Sequence, residues 1–143
     1  MERQRAPRDD GWLAWTGLVG AGLALPLAPG RWHGPEFAAI LAVSAIALLA
    51  GQRWAIAAIV LAELCLLPTV WPRAVLENGT ISRLIAFATL AAIVPGVRAM
   101  PRAAVALVGV TGRDHTARSC RRTHIGLVAI GIVATILPFL PLP

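Results

Sequence analysis

A chain of 143 residues that is 57% hydrophobic and only 14% charged is not composed for water, since soluble domains carry about 25% charged residues. Its apolar residues come in long runs, which excludes an ordinary soluble domain and predicts an all-α, polytopic integral membrane helical bundle of about five transmembrane helices, within a range of about four to six, joined by short loops. The formal charge of +6 is accompanied by no aromatic platform or recognition motif, so no nucleic acid is expected as a partner.

Residues 1–11 form an N-terminal segment with Arg3, Arg5 and Arg8, closed by Asp9 and Asp10. The first apolar stretch, 12–29, is longer than the roughly 7–15 residues of a secretory signal core and predicts an uncleaved first span. The second, 36–51, is short and covers about 24 Å at a helical rise. Arg53 and Trp54 can relieve that mismatch at the interface. The third and fourth stretches occupy 54–71 and 81–97, so residues 12–97 read as a four-helix membrane region. Residues 98–124 read as a basic loop that contains a short apolar segment at 103–112. That segment would rise only about 15 Å as a helix, and it is expected to lie in the interface or to re-enter. Residues 125–143 supply the C-terminal transmembrane helix, with its apolar run at 125–142.

Tryptophans mark the same ends: Trp12, Trp32, Trp54 and Trp71 flank the spans, where an indole keeps its N–H wet. Pro26, Pro29, Pro68, Pro95 and Pro138 are expected in last turns, where they tilt or stop a helix.

Orientation follows from the basic residues, all of them arginine, a usage that suggests a GC-rich bacterial genome. Placing the N-terminus inside puts Arg3, Arg5, Arg8, Arg53, Arg98, Arg102, Arg113, Arg118, Arg121 and Arg122 in the cytoplasm and only Arg31, Arg73 and Arg83 outside. Cytoplasmic loops collect arginine. The expected location is therefore a bacterial inner membrane, with a cytoplasmic N-terminus and the C-terminus at the outer face.

Glu63 is the one acidic residue at mid-span. Ionised there, it would cost roughly 2.5–3.5 kcal/mol on insertion scales, against about 0.3–0.6 kcal/mol returned by each Ile, Leu and Val of its segment. Its insertion should thus depend on neighbouring helices. Counted at 1.5 Å per residue from the outer helix ends, Glu63, Thr89, Thr135 and Ser44 all fall about 11–12 Å deep, which predicts an intramembrane polar layer. The alternative for each hydroxyl is a bond to the carbonyl four residues back in its own helix. Glu63 itself reads either as a proton or cation site or as an interhelical hydrogen bond.

Ala55, Ala58, Ala62, Cys65 and Thr69 line one face of the third span and form the best packing seam. Gly17, Gly20, Ala21, Gly126 and Gly131 offer further points of close approach. Arg113, Arg118, Arg121 and Arg122 anchor the topology and are candidates for contact with anionic lipid headgroups or an acidic partner.

Cys65 and Cys120 match no metal or redox spacing, and no histidine falls within a span. Catalytic, metal and cofactor sites are therefore not expected, and neither is an enzyme. The function expected first is an accessory or scaffold subunit of a larger membrane complex, in contact with the bilayer and with a partner subunit or further copies of itself. The alternative is a small homo-oligomeric transporter or channel that couples protons or cations through Glu63.

Overall fold

The computed structural model describes residues 6–25, 34–112 and 116–140. They form five α-helices and, among the described residues, no strand: α1 Ala6–Ala24, α2 Gly34–Leu49, α3 Trp54–Leu76, α4 Thr80–Val110 and α5 Ala117–Ile136, followed by a 3-10 turn, Leu137–Phe139. Helices are the form in which an apolar segment satisfies every backbone polar group by itself, as hydrocarbon requires. α1 packs on α2, α2 on α3 and α3 on α4, and α1 closes the ring against α4. α5 lies outside this four-helix bundle, against α3 and α4.

The chain is inside-out relative to a soluble protein. Val19, Ile46, Ile81, Ile132 and Val133 all face outward and are exposed, while the interior is built from small and medium side chains such as Ala14, Ala45, Ile59, Val60 and Ala103. α3, α4 and the stretch Ala117–Phe139 are long and apolar enough to cross a membrane, and α2 contributes a shorter apolar helix. The protein is an all-α membrane bundle.

Glycine sits at three helix crossings, of which only the one at Gly131 is tighter than ordinary contact would allow a side chain. A Cβ on Gly17 would touch Ala45 and Ile59, one on Gly20 would touch Ala92 and Leu41, and one on Gly131 would touch Leu64 and Met100. Gly126 meets nothing within 4 Å. The small face expected on α3 is divided. Ala55 and Ala62 are buried, but Cys65 is exposed, because α3 meets α2, α4 and α5 on different sides and buries residues around most of its circumference.

α2 ends in a two-bond glycine cap. The Gln52 N–H donates to the Ala47 carbonyl at 2.9 Å and the Gly51 N–H to that of Leu48 at 2.9 Å, with Gly51 at φ 85°. A Cβ at Gly51 would meet no atom within 4 Å, so Gly51→Ala isolates the cost of left-handed backbone. It is expected to lower stability by about 1–2 kcal/mol, read as a lower thermal midpoint in detergent; an unchanged midpoint would contradict the cap. α5 opens on Thr116, whose Oγ1 accepts from the Ser119 N–H at 3.2 Å. At the far end, the Trp71 and Phe139 rings meet edge to face at 6.1 Å and fasten the 3-10 turn to α3.

Several helix limits differ from the sequence expectation. α1 starts at Ala6, ahead of its apolar run, and α3 continues past Trp71 to Leu76 through Pro68 and Pro72. Pro95 is not in a last turn: α4 runs on through Pro95 and Pro101 to Val110. Of the expected basic loop 98–124, residues 98–110 thus extend α4 and residues 117–124 form the first two turns of α5. Proline removes only one backbone bond, and the cost of unpaired backbone groups in an apolar medium keeps the rest of the helix wound. The expectations for Trp32, Pro26 and Pro29, and the arginines at 3, 5, 31 and 113, lie outside the described residues.

Candidate functional site

Glu63 is buried at 3% exposure on α3. α4 meets it with Gly96, and the fit is tight: a Cβ built on Gly96 would stand 1.4 Å from Glu63 Oε2 and 2.6 Å from Cδ. The carboxyl therefore occupies the notch that the missing side chain of Gly96 leaves. Oε2 has no hydrogen-bond partner among the described residues, a state that costs about 1–3 kcal/mol for a buried polar atom. The adjoining Pro95 has no N–H to give the Ala91 carbonyl, so α4 is one backbone bond short at the turn on which the acid rests.

Two members of the expected polar layer, Thr89 and Thr135, bond within their own helices rather than to Glu63. Ser44 is buried on α2 and Thr89 on α4, but the Thr89 hydroxyl donates to the Ile85 carbonyl of its own helix at 2.8 Å. Thr135 is exposed on α5 and donates to the Gly131 carbonyl at 2.8 Å. Both follow the own-helix alternative. Thr89 also lies seven positions from Gly96, about 10 Å along α4, and so stands well off the level of Glu63. The extra turn of α3 beyond Trp71 accounts for most of that offset, because depths counted from Trp71 started from an end the helix does not have.

A second polar region gathers at the end of the bundle where α1 begins. Asp10 forms an ion pair with Arg102 of α4, 92 positions away in sequence. Two clefts adjoin this pair, and a third lies next to them. One of about 300 Å³ lies between Trp12, Pro95, Arg98 and Arg102. Another of about 390 Å³ is lined by Asp10, Arg53, Ile56, Pro101, Arg102 and Val105. A third of about 530 Å³ is lined by Pro101, Val105, Cys120, Arg121, His124 and Ile125.

Of the expected basic contact residues, Arg118, Arg121 and Arg122 are exposed on the first turns of α5. Arg121 enters the third cleft, and Arg113 is outside the described residues. Sequence reasoning missed Gly96 and the pairing of Asp10 with Arg102. The dipeptide Pro95-Gly96 inside an apolar run was the available signal for the first. The second had none beyond both residues being placed on one side of the membrane.

Among the described residues no group of three or more His, Cys, Asp and Glu side chains is arranged to hold a metal ion. Compared with family models, curated proteins and solved structures, the chain matches none of them.

Proposed function

We propose that the chain is a non-catalytic accessory or scaffold subunit of a larger membrane complex, seated in a bacterial inner membrane with its arginine-rich end in the cytoplasm. The seating of Glu63 on Gly96 carries this reading. A carboxyl wedged into a helix notch closes the interior at mid-span and holds α3 to α4, which is what a packing device does and what a carrier's accessible acid does not. Together with the glycine crossings it makes the bundle a compact body. Such a body works through its outer faces.

A second reading, a homo-oligomeric carrier coupled to protons or cations at Glu63, is favoured by one observation, the unpartnered Oε2 beside the backbone gap at Pro95. Glu63→Gln separates the two, since an amide has nearly the shape of the acid and retains hydrogen-bonding capacity. For a scaffold, the Gln variant should accumulate in the membrane and co-purify with its partner at wild-type levels, and liposomes holding the wild-type protein should show no pH-dependent cation flux. Flux that appears with the wild-type chain and disappears with Glu63→Gln would overturn the scaffold reading.

A further inference from the structure

The two larger clefts at the arginine end share a wall. Pro101 and Val105 line both of them and are exposed on α4, so the clefts form one groove divided by a low apolar ridge. On one side stand Arg53 and Arg102, with Asp10 paired to the latter. On the other stands Arg121, with His124 beside it. Neither Arg53 nor Arg121 has an ion-pair partner among the described residues. Counting the arginines and Asp10, each side carries one net positive charge.

α5 adds a reason to expect an anion here. Its first two turns hold Arg118, Arg121 and Arg122 and no acidic residue. Cations at a helix N-terminus oppose the macrodipole, a repulsion that an anion shared with the arginines removes. Apolar side chains line both sides of the groove, the buried Ile56 on one and the exposed Ile125 on the other. A ligand that places phosphate against the arginines and hydrocarbon against these apolar side chains is a lipid, and two singly charged sites across one ridge match two phosphates.

We propose that this groove binds a two-phosphate anionic lipid of the adjoining leaflet, one phosphate held by Arg53 and Arg102 and the other by Arg121 with His124, its linking glycerol lying over Pro101 and Val105. Spanning both sides makes the second contact intramolecular, and that is the source of its preference over lipids with one phosphate.

The test uses the full chain in a neutral detergent, titrated with diphosphatidylglycerol, with phosphatidylglycerol at matched phosphate, and with inorganic pyrophosphate. Binding is followed by native mass spectrometry and by thermal midpoint. Diphosphatidylglycerol should bind at least about tenfold more tightly than matched phosphatidylglycerol. Arg53→Gln and Arg121→Gln should each, alone, abolish that preference, whereas Arg83→Gln at the opposite end should leave it intact. All three variants are surface changes whose lipid-free midpoints should equal the wild type. Equal binding of the two lipids at matched phosphate, or a preference that survives both cleft variants, would overturn the proposal. So would pyrophosphate competing as well as the lipid, which would make the ligand a free phosphate.

Discussion

Gly96→Ala should unfold at a lower temperature than the wild type in detergent, at a cost of about 1–3 kcal/mol, although alanine is the better helix former. A methyl group there would sit 1.4 Å from Glu63 Oε2 and 2.6 Å from Cδ. The whole carboxyl must therefore move, and at 3% exposure it has buried neighbours on every side. Shortening Glu63 first removes the conflict. In a Glu63→Ala background the Gly96→Ala penalty should fall below about 0.5 kcal/mol, a coupling that a double-mutant cycle reads directly. Gly126→Ala is the control within the same protein. A Cβ there meets nothing within 4 Å, so the same substitution should gain about 0.5–1 kcal/mol from helix propensity. Equal effects at positions 96 and 126 would mean that the notch is not filled.

The second large effect is expected where α1 crosses α2 and α3. A Cβ on Gly17 would stand 3.5 Å from Ala45 Cβ and 3.7 Å from Ile59 Cδ1, which is ordinary contact. Gly17→Ala should therefore stay within about 1 kcal/mol of wild type, with gained propensity offsetting slight crowding. Gly17→Leu adds three more carbons beyond that contact, where Ala45 and Ile59 are both fully buried. The helices would have to part, and a loss of about 3 kcal/mol is expected, seen as a collapsed thermal midpoint or failure to accumulate in the membrane. A Leu variant as stable as the Ala variant would show that the crossing is looser than the structure has it.

The helical membrane class is legible because apolar runs near bilayer length leave few other solutions. Glu63 is legible for the same reason, as a single acid in an apolar run. Its partner is not. Gly96 sits one residue after Pro95, and proline there reads as a helix end, whereas α4 continues to Val110. Thr89 and Thr135 leave the expected layer because its arithmetic depends on helix ends: α3 is five residues longer than its apolar run, and Thr135 turns outward on a helix that packs against only one side of the bundle. The pairing of Asp10 with Arg102 joins residues 92 apart, and no local pattern encodes a contact of that range. The arginines as a set gave only an expectation of topology, and the groove that some of them line exists only once α4 is carried past Pro101 and packed against α5.

The scaffold reading is tested most directly by isolating the tagged chain from its native membrane in a gentle detergent and counting every co-purifying polypeptide by quantitative mass spectrometry. A foreign membrane protein present at a fixed stoichiometry, and kept by the Glu63→Gln variant, is the expected result. A preparation that contains only copies of this chain, together with loss of pH-dependent flux in Glu63→Gln liposomes, would contradict it and make the buried acid a transport site.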